Sequence, residues 1–386
     1  MKIGKQFAKL ARIGLAAATT ALMPAAQAQE TVKVGVILSV SGPAAAFGIP
    51  ERDTVQVFID KYNAESKARK LEIVFHDEQT NPTEAARGAT KLIQQDKVQV
   101  IIGPTIGSSA LALMPIAAAA KIPVLGMNGT ISLTDSKNSF APWYFRSSIN
   151  DELIVRETMR RGVFGPTHKR IAFMYQEDAY GKGSTEYAEK LAKERGIEVV
   201  ASVAAPGNAI ELSAAATRIR NAKPDAVLLW ASSPAMGAAF LRAAHQVGLS
   251  VPIVASAALA QRPLVDAAGA TAEGVMLVSL PHWDEPTPKL MKLEAVLREA
   301  GKKPAGFGEM LAVTAVVALT SAIDKINGPV TGEKLRDALE GLGQIDNPYV
   351  DGRFSFSKDS HEGFADDALK TIVVKNGKFL GAGGAR

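Results

Sequence analysis

The residues best placed by type and spacing to do chemistry are Gly103-Pro-Thr-Ile-Gly-Ser-Ser109 and Asn128-Gly-Thr130, and the chemistry they suit is holding a small anion. A β-branched run, Val98 to Ile102, stops at Gly103-Pro104, and a helix starts near Ser108 and Ser109. A second apolar strand, Pro123 to Leu125, opens into Asn128-Gly129-Thr130. In a parallel α/β unit both loops leave the C-terminal ends of adjacent strands, so they lie side by side at the sheet edge. A helix start offers free N–H groups and a positive dipole end, and flanking hydroxyls add donors. That arrangement receives a carboxylate; taken alone, the same stretch also reads as an ordinary βαβ unit with nothing bound.

Other chemistries find no support. His76, His168, His245, His282 and His361 are too scattered for a metal site, and no His-x-x-x-His pair exists. Gly103 to Gly107 lacks the following Lys-Ser/Thr of a phosphate loop. There is no Gly-x-Ser-x-Gly elbow and no cysteine nucleophile. Asp77-Glu78 is a carboxylate pair at a strand end, read as a solvated loop. No metal, cofactor or catalytic residue is expected.

The elements that must position the anion cradle lie downstream of a targeting segment. Lys2, Lys5, Lys9 and Arg12 form a basic region, Ile13 to Met23 an apolar one, and Ala26-Gln27-Ala28 a cleavage site. Residues 1–28 therefore read as a signal peptide, with the mature start near Gln29; the apolar run is shorter than the roughly 20 residues a membrane span needs. The segment carries four Lys/Arg and no Asp/Glu, so its removal lowers the formal charge from +5 to +1. With that balance, and no basic run interleaved with aromatics, a nucleic-acid partner is excluded. Export is compatible with the absence of cysteine, and leaves the core to hold without disulfides.

From Val32 the chain alternates. Strand-like Val32 to Leu38 and Leu71 to His76 flank a helix whose Val55, Phe58, Ile59 and Tyr62 form one apolar stripe. Asn81-Pro82-Thr83-Glu84 is a helix start with Asn as cap and Pro in the first turn. After Trp143-Tyr-Phe-Arg146 a second block begins, with strands at Arg170–Tyr175, Glu198–Val203, Ala226–Trp230, Val251–Ala255 and Gly274–Ser279. Helical segments near 183–195, 211–221, 234–247 and 263–268 separate them. Two α/β blocks of similar size predict two lobes with parallel sheets. Two further helices, Lys289 to Ala300 and Phe307 to Ile326, and a tail with an Asn376-Gly377 hairpin turn could join either lobe.

The order of motifs resembles the leucine/isoleucine/valine-binding proteins, the solute receptors of ABC importers for hydrophobic amino acids. The matching pieces are Val34 to Pro43 with Phe47-Gly48, Asp77 to Pro82, Ile102-Gly103-Pro104 with its serines, Asn128-Gly129-Thr130, Asp178-Ala-Tyr-Gly181, and Ala272-Glu-Gly-Val275. The resemblance implies an α/β type I periplasmic-binding fold: two doubly wound parallel-sheet lobes joined by three crossovers, near Ser148, Ser279 and Phe356. Lobe 1 would comprise 29–148 and 280–356, lobe 2 would comprise 149–279, and the tail 357–386 would return to lobe 2. A ligand sits between the lobes, which close about a hinge. A periplasmic monomer that hands a small carboxylate to importer membrane subunits is the implied role.

Carried over position by position, the resemblance implies that the ligand carboxylate is held after the third strand at Gly107, Ser108 and Ser109, and after the fourth at Gly129 and Thr130. The family serine falls on Gly107. Phe47 and Tyr180 would cover the apolar part, with Ser232 and Ser233 in the loop after Trp230. The acidic residue that pairs with the ammonium falls on Ala257, and no Asp or Glu occurs from Ser250 to Val265. Glu309, Asp284 or Glu285, or the faces of Phe47, Tyr180 or Trp230, would have to substitute; otherwise the ligand has no amine and is an aromatic, aliphatic or 2-oxo acid. A ligand sensor of the same fold and an exported α/β hydrolase are the other classes, the second lacking any visible nucleophile–base pair.

Overall fold

A computed structural model of the chain describes residues 30–66, 69–161 and 168–383. The expected signal peptide and cleavage point lie outside the described residues.

Two sheets organise the chain. The first has the order β2-β1-β3-β4-β5, all parallel, from β1 (Glu30–Leu38), β2 (Arg69–Asp77), β3 (Val100–Ile102), β4 (Val124–Gly126) and β5 (Tyr144–Arg146). Its helices are α1 (Ala45–Glu65), α2 (Pro82–Gln94) and α3 (Gly107–Ala119). The burial of β3 and β4 at every position fits strands covered on both faces. Asn81 caps α2 as its spacing predicts, its side chain accepting from Thr83 N at 2.8 Å. Helix α1 begins ten residues before its apolar stripe and carries Pro50 inside its first turns.

The second sheet runs β14-β13-β10-β9-β8-β6-β7. Its parallel part comprises β6 (Arg170–Gln176), β7 (Glu198–Ala205), β8 (Ala226–Trp230), β9 (Ile253–Ala255) and β10 (Met276–Ser279). Helices α4 (Asp151–Arg160), α5 (Ala179–Glu194), α6 (Ser213–Asn221), α7 (Pro234–Gln246) and α8 (Arg262–Ala268) accompany it. The sheet is not wholly parallel: β13 (Lys370–Lys375) and β14 (Lys378–Gly381) form a hairpin whose β13 pairs antiparallel with β10. The Asn376-Gly377 turn makes this possible, with φ of 52° and 67° at its two central residues.

Between β10 and β13 the chain revisits the first lobe through α9 (Pro288–Glu299), α10 (Gly308–Ile323), α11 (Gly332–Glu340) and the small ladder of β11 (Gly343–Gln344) and β12 (Ser355–Phe356). Helix α10 packs against α1, β4 and α11. The chain thus passes between the lobes three times. Its long uncharged run serves as a core helix, since among the described residues no helix is long and apolar enough to cross a membrane.

Candidate functional site

Loops leaving the C-terminal ends of β1, β3, β4 and β5 face those leaving β6, β8 and β9, and together they line a cavity between the lobes. This is the sheet-edge position at which open α/β folds bind ligands. The apolar part of the wall is Phe47, Ile106, Met127, Ile154, Phe307 and Leu311, with the rings of Phe47 and Phe307 6.0 Å apart. The returning helix α10 and the residue before it therefore finish the cavity.

The polar part begins at α3. Its N-cap, Ile106, offers no side-chain acceptor, so the first-turn N–H groups must be satisfied from outside the helix. From behind, buried Glu78 accepts Thr105 N and Ser39 Oγ, each at 2.9 Å. Thr105 Oγ1 in turn donates to Glu51 Oε2 at 2.6 Å. Asp77-Glu78 is thus not a solvated pair. Glu78 is withdrawn from solvent, and burial pushes its carboxyl up to about 7. Burial also raises Glu51, reinforced by the neighbouring Glu78 and Glu309.

On the cavity side, Gly107 and Gly129 line the wall. Neither position has room for a side chain. A Cβ on Gly107 would overlap Thr130 Oγ1, and one on Gly129 would overlap Asp151 Oδ1 and the Ile149 carbonyl. The space that a serine would need at 107 is filled by the Thr130 hydroxyl, which is buried and without a hydrogen-bond partner among the described residues. Thr130 itself stands one layer behind the wall. Ser108 is half-buried and Ser109 fully buried beside Glu78; neither lines the cavity.

Across the cleft, Tyr180, Ser232, Ala257 and Ala258 line the wall. Tyr180 lies in the first turn of α5, where Asp178 caps the helix by accepting Gly181 N at 2.8 Å. Burial, then the nearby Asp151, keeps the Tyr180 phenol protonated. Gln176 anchors the next loop: its Oε1 accepts the backbone N–H groups of Ser232 and Ser233, each at 3.1 Å. Ser233 does not reach the cavity; it caps α7, accepting Met236 N at 3.3 Å. Trp230 is buried behind Tyr180, their rings 6.5 Å apart.

None of the acids named from sequence as substitutes at the ammonium position reaches the wall. Glu309 accepts Ala305 N at 2.6 Å, Asp284 pairs with Arg262 at 2.6 Å, and Glu285 accepts Gly381 N at 2.6 Å. The wall holds instead Asp151 and Asp178. Asp151 is 1% exposed, and its Oδ2 has no hydrogen-bond partner among the described residues; Ser184 comes near without bonding geometry. Burial raises its carboxyl well above the usual range, against the opposing pull of Arg146. In the sequence Asp151 looks like the first residue of a capped helix, which it also is, Asn150 accepting Glu152 N at 2.8 Å. Only its position after β5, pointing back to Gly129, would have marked it.

The family model described as "Periplasmic binding protein" matches residues 31–378. The chain is 25% identical over 356 residues to the leucine-, isoleucine-, valine-, threonine-, and alanine-binding protein of Pseudomonas aeruginosa, covering 88% of this chain and 89% of that one. It is 23% identical over 317 residues to the Leu/Ile/Val-binding protein of Escherichia coli, covering 78% and 81%. Among solved structures, a branched chain amino acid ABC transporter from Thermus thermophilus with bound valine superposes with a TM-score of 0.81 at 20% identity, over 92% of this chain and 96% of that one. An extracellular ligand-binding receptor from Rhodopseudomonas palustris gives 0.80 at 24% identity, over 91% and 99%. The fold is the one they share.

Proposed function

The chain belongs to the periplasmic binding protein family, and on that footing we propose that it is the solute receptor of an ABC importer for an α-amino acid with an apolar side chain. The observation that carries this reading is Asp151: a buried carboxyl in the cavity wall, one oxygen without a partner, in a site whose expected acidic position holds Ala257. A carboxyl desolvated without a countercharge costs several kcal/mol in its ionised form. A ligand ammonium offsets that cost and draws the proton off Asp151. The ligand carboxylate then lies against the start of α3 and Gly129, with the Thr130 hydroxyl behind, and the side chain turns to Phe47, Ile106 and Leu311.

The relatives named as a leucine-, isoleucine-, valine-, threonine-, and alanine-binding protein and a Leu/Ile/Val-binding protein align over most of the chain, which supports the reading. The role is binding and delivery to importer membrane subunits, with no chemistry on the ligand, by a monomer that closes about its three crossovers.

A thermal-shift screen of the mature chain tests it, setting leucine, isoleucine, valine and phenylalanine against the matching 2-oxo acids. Ligand at a hundredfold excess over Kd adds about 2.7 kcal/mol of stability. Stabilisation by amino acids and not by oxo acids is expected. The reverse pattern refutes the assignment of Asp151 as the ammonium partner.

A further inference from the structure

Arg146, at the end of β5, is fully buried, yet its guanidinium does not touch the cavity. It donates to the carbonyls of Asn128 at 2.8 Å and Thr130 at 3.1 Å, the two that flank Gly129 on the loop after β4. It also donates to Thr134 Oγ1 at 3.0 Å and pairs with Glu362 at 2.7 Å. Tyr144 adds a second donor to the Asn128 carbonyl at 3.1 Å. In a trans peptide the N–H and C=O point in opposite directions. With the Asn128 carbonyl turned to Arg146, the Gly129 N–H faces the other way, toward the cavity that Gly129 lines. A buried positive charge thus stands one peptide behind the carboxylate cradle, where its own burial weakens solvent screening.

Glu362 makes this a tuned charge. It lies in the segment between β12 and β13, the third passage between the lobes, and bridges to Arg146 by backbone as well as side chain, with Arg146 N donating to the His361 carbonyl at 2.9 Å. Burial raises its carboxyl, but the charge and hydrogen bonds of Arg146, together with Thr134 and Asn150, bring it below the usual range.

We propose that Arg146 is a positioning residue for the ligand carboxylate, orienting the Gly129 amide and biasing the site toward acids, and that Glu362 sets how much of its charge the ligand experiences. The proposal rests on the amino-acid reading of the cavity. Any ligand preferred for its carboxylate is preferred partly through a residue it never touches. The link also ties the cradle to a passage between the lobes, so the loop that grips the carboxylate and the segment that bends on closure share one ion pair.

The test compares leucine with leucinamide, which keeps the ammonium and side chain but lacks the carboxylate, by calorimetry on the mature protein. The readout is the ratio of the two affinities. Arg146→Gln should lower the acid-over-amide ratio by roughly tenfold or more, the loss expected when a charge-assisted arrangement disappears. Arg146→Lys should recover part of it. Glu362→Gln should move the ratio the opposite way, because it leaves the guanidinium unneutralised. Where Arg146→Gln alone fails to fold because Glu362 is stranded, the double variant Arg146→Gln/Glu362→Gln, which removes both charges, should show the lowered ratio. A merely structural ion pair would weaken both ligands equally in every variant, and an unchanged ratio overturns the proposal. Where isoleucine, valine or phenylalanine binds better than leucine, that amino acid and its amide take the place of leucine and leucinamide. Absence of binding of all four by the wild-type protein overturns the amino-acid reading and this proposal together, and wild-type binding with unchanged ratios overturns this proposal alone.

Discussion

Replacing Glu78 by Gln should make the protein more stable above neutral pH and leave it nearly unchanged in mild acid. The Glu78 carboxyl is pushed by burial from 4.5 to about 7. A carboxyl whose folded value lies above its unfolded one keeps its proton in the native chain after the unfolded chain has released it. Over that interval the native state binds more protons, so stability falls as pH rises from about 4.5 through about 7. At about 1.4 kcal/mol per pH unit, the interval corresponds to about 3 kcal/mol, an upper figure that relaxation of the site reduces. Glutamine retains the oxygen that accepts Thr105 N and Ser39 Oγ, and places its amide where Oε2 has no hydrogen-bond partner among the described residues. Urea unfolding of ligand-free mature protein at pH 5 and pH 8, followed by circular dichroism, reads the difference between variant and wild type. That difference should grow by about 2–3 kcal/mol between the two conditions. The same difference at both pH values would mean that Glu78 titrates as an ordinary exposed carboxyl, and would refute the account of α3 as a helix start backed by a buried, protonated acid.

Further outcomes follow from the residues in and behind the cavity wall. Asp151→Asn should weaken amino-acid binding by roughly a hundredfold, since a hydrogen-bonded buried charge pair is typically worth 2–5 kcal/mol. Wild-type affinity should rise with pH until the Asp151 carboxyl, held protonated by burial when the cavity is empty, is fully ionised, and the Asn variant should lack that rise; calorimetry between pH 5 and 8 checks both. Gly107→Ser should destabilise the chain by about 1–3 kcal/mol through overlap with Thr130. Adding Thr130→Ala should restore much of the loss, as paired melting curves would show.

Much of the frame was legible in the chain. Alternating β-branched and amphipathic runs announce the parallel units, and the Asn81 cap and the Asn376-Gly377 turn appear where local chemistry puts them. Gly129 and Thr130 stand out as a tight loop after an apolar strand, whereas Gly107 is reached only by counting along the family's motif, and both glycines line the cavity. What escapes those rules is which charges are buried. Glu78 reads as solvated, since nothing near it in sequence tells that Thr105 and Ser109 will cover it. Asp151 reads as a first-turn acid, and Arg146 as the end of an edge strand, since their partners Gly129, Asn128 and Glu362 come from other segments. Counting forward from Gly248 leads to Ala257, which does line the cavity, but the acids in the cavity wall, Asp151 and Asp178, follow other strands.

The return of the chain to its first lobe has a consequence for how the molecule comes into being. The first sheet is laid down by the first 146 residues, but its surface stays open until α10 arrives. The seam is closed by contacts between residues far apart in sequence: Tyr62 Oη with Asp324, 262 positions away, and Glu30 with Val330 N, 300 away. Contacts of such separation make folding slow, because loop-closure entropy is lost before they form. The N-terminal lobe therefore cannot complete itself during synthesis of its own strands, and must wait for nearly the whole polypeptide. A chain arranged this way acquires its finished first lobe, binding loops included, only near the end of its synthesis.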